Sequence, residues 1–268
     1  MTDAERDLPP ASGHALIGEA RVVAIVGNYG SGKTEAAVNL ALSLAASGAA
    51  VQIADLDLVN PYFRCREAAR LMRDAGIRVV VPPGAQAFAD LPIVVPEVRA
   101  LWTPPRGVVS LFDVGGDDVG ARALASYRTS VADGQYELWQ VINARRPFTD
   151  SVAGCVAMRD ALERGSRFRV TGLLVNTHLM EHTTAATVLD GWRLAREVSA
   201  VTGLPIRLVA AMGDVADDPA LTEIDVPLLR MHRHMLPPWL APAVHDASLP
   251  AARPVPLGRA RPVQGVTL

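Results

Sequence analysis

The fold is decided by the stretch Gly27-Asn28-Tyr29-Gly30-Ser31-Gly32-Lys33-Thr34, which follows an apolar run at residues 21–26 and opens into a helical run. Its spacing matches G-x-x-x-x-G-K-[ST], the phosphate-binding loop that joins a strand to a helix. Glycines adopt backbone conformations closed to other residues, so successive N–H groups can point at one anion. The helix N-terminus adds unpaired N–H groups and a positive dipole end. The stretch therefore predicts a site for the phosphates of a nucleotide.

Two side chains supply the chemistry of this loop. Lys33 carries a mobile positive charge for the outer phosphates, so we expect it to serve catalysis as well as binding. The Thr34 hydroxyl is a ligand that Mg²⁺ accepts. Glu35 follows at once, and the predicted nucleotide site includes it together with residues 27–34.

Composition narrows the class of protein. Of the 268 residues half are apolar and a fifth are charged, which suits a globular protein with a sizeable core. A net charge of −2 gives no strong field to attract nucleic acid. Cys65 and Cys155 form no C-x-x-C pair, no apolar run approaches the roughly 20 residues of a membrane span, and residues 1–10 hold no apolar signal region. We therefore expect a cytoplasmic protein with no membrane segment.

Strands and helices alternate along the sequence. Apolar runs that predict strands occur at residues 21–26, 50–54, 77–81, 108–112, 137–142, 168–175 and 206–211. The helical segments between them predict an α/β fold of the P-loop NTPase type, with a mostly parallel, doubly wound sheet of about seven strands and helices on both faces. We expect a flexible leader at residues 1–20, a nucleotide-binding domain at 21–240, and a disordered tail rich in Pro, Ala and Arg at 241–268.

Polar side chains end several of these strands. Asp55 and Asp57 follow the second strand, Asp113 the fourth and Asn176 the sixth. Parallel sheets bind ligands at the carboxyl ends of their strands, so we expect these residues to meet the phosphate loop. Asp113 would hold magnesium, while one of Asp55 and Asp57 would orient the attacking water and the other would take part in the magnesium shell. With Thr34, these three aspartates are the predicted metal ligands.

A resemblance to a known family rests on four groups of residues: 27–34, Asp55-Leu56-Asp57, Asp113-Val114-Gly115-Gly116 and Asn176. Together they resemble the MinD/ParA group of P-loop ATPases over roughly residues 21–212. The resemblance implies ATP-dependent switching, often through a nucleotide-sandwich homodimer. It also implies that Asp57 orients the water, that Asp113 binds magnesium and that Asn176 lies at the adenine.

Position 28 departs from that family. Its members carry a signature lysine near the start of the loop, which reaches across the dimer to the partner's nucleotide, whereas this chain has Asn28. Arg64 or Arg66, in the loop after Asp57, is the substitute that the sequence offers. A nucleotide-dependent homodimer is thus expected from the family but not from this loop.

The expected nucleotide is ATP. GTPases read guanine with an Asn-Lys-x-Asp run, and the corresponding residues here are Asn176-Thr177-His178-Leu179. An asparagine alone can pair with the amino edge of adenine. We therefore predict a magnesium-dependent ATPase that acts as a nucleotide-controlled switch, or as a chaperone-like partner of another protein.

One alternative function stays open. A small-molecule kinase or ATP-dependent ligase could use residues 82–106 as its acceptor site. Residues 178–182 also spell His-x-x-Glu-His, a zinc-hydrolase pattern, although a match of this length is common by chance.

Overall fold

The computed structural model describes residues 13–57, 68–80, 96–116 and 118–235. Within them lies one sheet, whose strands are β1 (Val22–Gly27), β2 (Ala50–Leu56), β3 (Arg78–Val80), β4 (Val108–Val114), β5 (Glu137–Ile142), β6 (Gly172–Val175), β7 (Ile206–Met212) and β8 (Leu228–Met231). All strand pairs are parallel, in the order β3-β2-β4-β1-β5-β6-β7-β8. The strand that precedes the phosphate loop therefore lies inside the sheet, between β4 and β5.

Helices connect the strands. They are α1 (Gly13–Ile17), α2 (Lys33–Ala46), α3 (Ala69–Asp74), α4 (Pro96–Ala100), α5 (Asp118–Ala125), α6 (Val152–Ser166), α7 (Ala185–Thr202) and α8 (Gly213–Ala216). The ends of the long helices follow from local chemistry. The Ser151 hydroxyl accepts a hydrogen bond from the Gly154 N–H at the start of α6, Thr184 caps α7 in the same way, and Gly203 ends α7 in the left-handed conformation.

The side chains of β1 show why both faces of the sheet are covered. Val23 and Ile25 join the core on the α2 face, together with Leu40 of that helix. Ala24 and Val26 belong to a second core on the opposite face. A strand buried on both sides reads as a continuous apolar run, which is what residues 22–26 are. The predicted doubly wound sheet is confirmed.

The structure adds order at two places where the sequence predicted little. The predicted flexible leader contains α1, and Leu16 of this helix is packed into the core. The apolar segment after β7 contains β8, which extends the sheet to eight strands against the predicted seven or so. A strand of four residues at a sheet edge is too short to give a clear periodic pattern. The predicted tail, residues 241–268, lies outside the described residues.

Strand register gathers the predicted site at one edge. Asp55 of β2 pairs with Asp113 of β4, which in turn pairs with Ile25 of β1. On the other side of β1, Gly27 pairs with Val141 of β5. The loop after Gly27 is therefore flanked by the aspartates on one side and by the β5–α6 loop on the other.

Candidate functional site

The phosphate loop has the backbone shape that its glycines predict. Gly30 and Gly32 have φ values of 73° and 81°, in the left-handed region. The carbonyl of Asn28 accepts hydrogen bonds from the Ser31 hydroxyl at 2.8 Å and from Lys33 Nζ at 3.2 Å. Among the described residues, no side chain caps α2 at Gly32. The N-terminus of α2 thus keeps the positive dipole end that an anion would meet.

Asp113 is a fully buried carboxylate beside this loop. Burial, followed by the charge of Asp55, raises its pKa to about 8, against the lowering effect of Lys33. Within the described residues neither carboxylate oxygen has a well-formed hydrogen bond, although the Thr34 hydroxyl interacts with the group and also lowers its pKa. A buried carboxylate with spare lone pairs beside a lysine and a threonine has the chemistry of a cation ligand.

Asp55 and Asp57 differ in what they face. Asp55 is fully buried, and its Oδ1 accepts a hydrogen bond from the backbone N–H of Asp57 at 3.0 Å. Asp57 is buried, with 5% of its surface exposed, and it lines the cleft next to the loop. One oxygen of Asp55 therefore fixes the turn that presents Asp57 to the cleft.

Magnesium fits these residues only if the protein and the nucleotide together supply its ligands. No three His, Cys, Asp or Glu side chains of the described part come together in a way that could hold a metal unaided. Mg²⁺ is commonly held by one or two carboxylates together with substrate phosphates. Thr34 and Asp113 are the pair whose interaction suits that arrangement. The His-x-x-Glu-His run at residues 178–182 gains no support as a zinc site.

Gly116 explains why the loop after β4 is glycine-rich. A Cβ at this position would lie 2.8 Å from Lys33 Nζ, 2.8 Å from the Tyr29 backbone N and 2.9 Å from the Gly27 carbonyl oxygen. Only glycine allows so close an approach of two backbones. The loop that follows Asp113 is thus in direct contact with the lysine of the phosphate loop.

Asn176 supports the phosphate loop from β6. Its Nδ2 donates hydrogen bonds to the carbonyl oxygens of Ser31 at 2.9 Å and Gly32 at 3.3 Å. Its Oδ1 is buried and has no hydrogen-bond partner among the described residues. Asn176 lines the cleft as a residue, while this oxygen itself is buried.

A cleft of about 480 Å³ opens beside the loop. Its lining includes polar residues, among them Lys33 and Thr34, and apolar side chains, which are Ala210, Ala211, Met212, Val215, Met231 and Met235. Methionine thioethers pack well against aromatic rings. The cleft thus offers polar groups for phosphates and apolar side chains suited to a planar base.

Several cleft residues were not predicted as site residues, among them Arg146, His178 and Arg233. Burial, followed by the charges of Arg146 and Arg233, lowers the pKa of His178 to about 4, so its ring is neutral near pH 7. Arg146 follows β5, and β5 lies beside β1 in the sheet. Strand order is the missing signal, because it decides which loops meet and cannot be taken from spacing.

The segment after β8 is fastened to α2. Glu35 accepts hydrogen bonds from the backbone N–H groups of His234 at 2.8 Å and Met235 at 3.0 Å. Asn39 binds both backbone groups of His232, accepting from its N–H at 2.7 Å and donating to its carbonyl at 2.9 Å. We call this set of contacts the α2 clamp. It gives Glu35 a role within the protein and holds Met235 at the cleft.

Asn28 is engaged within its own chain. Its Nδ2 donates to the Pro147 carbonyl at 3.0 Å, and its Oδ1 accepts from the Tyr29 N–H at 2.8 Å. The predicted substitutes Arg64 and Arg66 lie outside the described residues, as do residues 82–95 of the alternative acceptor segment. Within the described part, no helix is both long and apolar enough to cross a membrane.

Comparison with models of known protein families gives no match, and comparison with curated protein sequences gives none either. Solved structures do match. The cell division protein FtsY from Thermotoga maritima is similar with a TM-score of 0.51 and 16% identity, over 73% of this chain and 64% of that one. Chloroplast FtsY from Physcomitrella patens gives a TM-score of 0.49 at 15% identity, over 74% and 62% of the two chains. The 54 kDa signal recognition particle protein from Aeropyrum pernix, in complex with GDP, gives 0.47 at 20%, over 76% and 43%.

These similarities concern the fold. The Thermotoga structure supports a P-loop NTPase α/β fold for this chain, in agreement with its all-parallel sheet and the loop between β1 and α2. The matches span less than two thirds of each of the three proteins. The protein therefore has the P-loop NTPase fold.

Proposed function

We propose that this protein binds ATP with magnesium in the cleft beside the phosphate loop and hydrolyses it as a switch that controls binding to another protein. The observation that carries the proposal is the junction of Lys33, Thr34 and the buried Asp113 at the open N-terminus of α2. Lys33 would bind the outer phosphates, and Thr34 and Asp113 would hold the metal. Bound magnesium would neutralise the charge that develops on the transferred phosphoryl group.

Asp57 is the proposed water-orienting residue. It lines the cleft, and the turn fixed by Asp55 Oδ1 limits its backbone. A carboxylate held in this way can accept a proton of the attacking water and direct its lone pair. Asp55, with one oxygen in that turn, would contribute to the metal environment through its charge on Asp113.

The choice of ATP rests on Asn176. Its amide nitrogen donates to two carbonyl groups of the loop, so a base that reached this side chain would meet the buried oxygen, which is an acceptor. Adenine presents an N6 amino donor, whereas guanine presents an O6 acceptor at the same place. A buried acceptor favours the donor, because facing O6 would leave two acceptors unpaired. The resemblance to MinD/ParA proteins points the same way, and we propose that affiliation on the residues given above.

The switch is proposed on the contact between Gly116 and Lys33. A loop that touches the phosphate-binding lysine must respond when a γ-phosphate arrives or leaves. Asp57, which follows β2, lines the cleft directly. Differences between the ATP and ADP forms would then appear at these two places, where a protein partner could detect them.

Two substitutions test these roles. Lys33→Ala should abolish detectable ATP binding, because it removes the charge for the outer phosphates. Asp57→Ala should bind ATP as the wild type does but hydrolyse it at least about a hundredfold more slowly. Binding is measured by calorimetry and hydrolysis by phosphate release, with the exposed Asp74→Ala as control. Normal hydrolysis by Asp57→Ala would show that this residue does not orient the water.

A further inference from the structure

The β5–α6 loop places an arginine against the phosphate loop. Arg146 Nε donates a hydrogen bond to the Gly30 carbonyl at 3.1 Å, and the next residue accepts from Asn28 through the Pro147 carbonyl at 3.0 Å. The two loops are thus joined at two points. Both loops belong to neighbouring strands, so the contact is a consequence of the sheet order.

This loop is itself well fixed. The carbonyl of Asn143 accepts from the Arg146 N–H at 3.0 Å and from the Thr149 hydroxyl at 2.8 Å. Asn143 and Thr149 are fully buried, and Thr177 Oγ1 accepts from the Ala144 N–H at 3.0 Å. The hydrogen bond from Arg146 Nε to the Gly30 carbonyl restrains the side chain as well, so less freedom is lost when it binds a ligand. Both the backbone and the side chain of Arg146 are therefore restrained before a ligand binds.

The guanidinium has binding capacity left. An arginine has five N–H donors in a planar fork, and Nε provides only one of them. Within the described residues, Nη1 and Nη2 make no hydrogen bond, and Arg146 lines the cleft. A planar pair of donors of this kind suits two oxygens of one phosphate.

The position of Arg146 points to one end of the nucleotide. A Cβ at Gly30 would lie 3.7 Å from Arg146 Nε, and a Cβ at Gly32 would meet Asn176 and His178, the proposed base side. The charge of Arg146 also lowers the pKa of His178, so the arginine lies towards that side of the loop. Lys33 Nζ is instead the neighbour of Gly116, in the loop after Asp113. The arginine and the lysine therefore flank the loop at different places.

We propose that Arg146 binds the α-phosphate of the nucleotide, and so supplies a positive charge from within the chain to a loop that has Asn28. The assignment rests on the proposed function, since it needs a nucleotide in the cleft. It also removes the need for a cation from a second copy at this position. Because ATP and ADP share the α-phosphate, the contact serves both.

Arg146→Gln tests the charge apart from the structural contact. Glutamine can still donate to the Gly30 carbonyl, but it carries no charge. We expect ATP and ADP affinities to fall together, each by roughly tenfold or more, with an unchanged melting temperature. Arg146→Lys keeps the charge and should lose less. The control is Arg145→Gln, because Arg145 is ion-paired with Asp190 and does not line the cleft.

The outcomes separate the two proposals. If the wild type binds ATP and Arg146→Gln binds it equally well, the role of Arg146 is wrong and the proposed function stands. A loss confined to ATP would overturn the assignment to the α-phosphate. Equal losses in Arg146→Gln and Arg146→Lys, together with a lower melting temperature, would mark Arg146 as a structural support only. A wild type that binds no nucleotide would overturn the proposed function itself.

Discussion

Asp113 shows most clearly how one residue can oppose folding and serve a site. It is wholly buried next to Asp55, and its pKa rises to about 8. Since an unfolded aspartate titrates near 3.9, the folded protein holds the extra proton between about pH 4 and pH 8. The free energy of unfolding therefore falls as pH rises through this range. A loss of unfolding free energy of this kind is expected where a buried carboxylate serves to bind a cation.

Asp113→Asn should remove that loss. The amide has nearly the same shape and no charge, so without nucleotide the variant should exceed the wild type in stability by about 1 kcal/mol or more at pH 8 and by much less at pH 5. Urea unfolding at the two pH values measures this. Magnesium-dependent ATP binding should weaken in the same variant. A variant less stable than the wild type at pH 8 would contradict this account, and the exposed Asp74→Asn provides the control.

At the scale of elements, the α2 clamp joins the phosphate-loop helix to the segment after the last described strand. Glu35 and Asn39 lie one turn apart on α2 and together bind the backbone of three residues, His232, His234 and Met235. Thr34, a proposed metal ligand, immediately precedes Glu35. The clamp therefore connects the chemistry of the loop to one wall of the cleft.

Asn39→Ala should loosen that connection. The buried side chain binds both the N–H and the carbonyl of His232, and leaving these groups unpaired should cost about 1–3 kcal/mol of unfolding free energy. Hydrogen exchange at residues 232–235 should also become faster. Ser43→Ala, on the same helix and partly exposed, should change stability by less than about 0.5 kcal/mol. Unchanged exchange in Asn39→Ala would show that the clamp does not hold the segment.

The limits of sequence reasoning also appear at this scale. The phosphate loop, Asp113 and Asn176 were predicted because each depends on a local pattern or on the end of an apolar run. Arg146 and the α2 clamp were not, because each joins elements that are far apart in the chain. The contact between Asn39 and His232 spans 193 positions. The residue pattern of neither segment indicates that the two are in contact.

At the scale of the whole molecule, the order of the strands in the sheet brings the residues of the site together. β4 and β5 flank β1, so one brings the aspartates and the other brings Arg146 to the same loop. Alternation of strands and helices predicted the parallel sheet, but it left the order of the strands open. That order is what places the aspartates on one side of the loop and Arg146 on the other.

The most direct test of the central claim is calorimetric titration of the wild-type protein with ATP, GTP and inosine triphosphate in the presence of magnesium. Inosine triphosphate is the matched control, because its base carries an oxygen where adenine carries the amino group. We expect one ATP per chain, bound at least about tenfold more tightly than either of the other two, since the base of each would set an acceptor against Asn176 Oδ1. Equal or tighter binding of GTP, or no binding of any of the three, would contradict it.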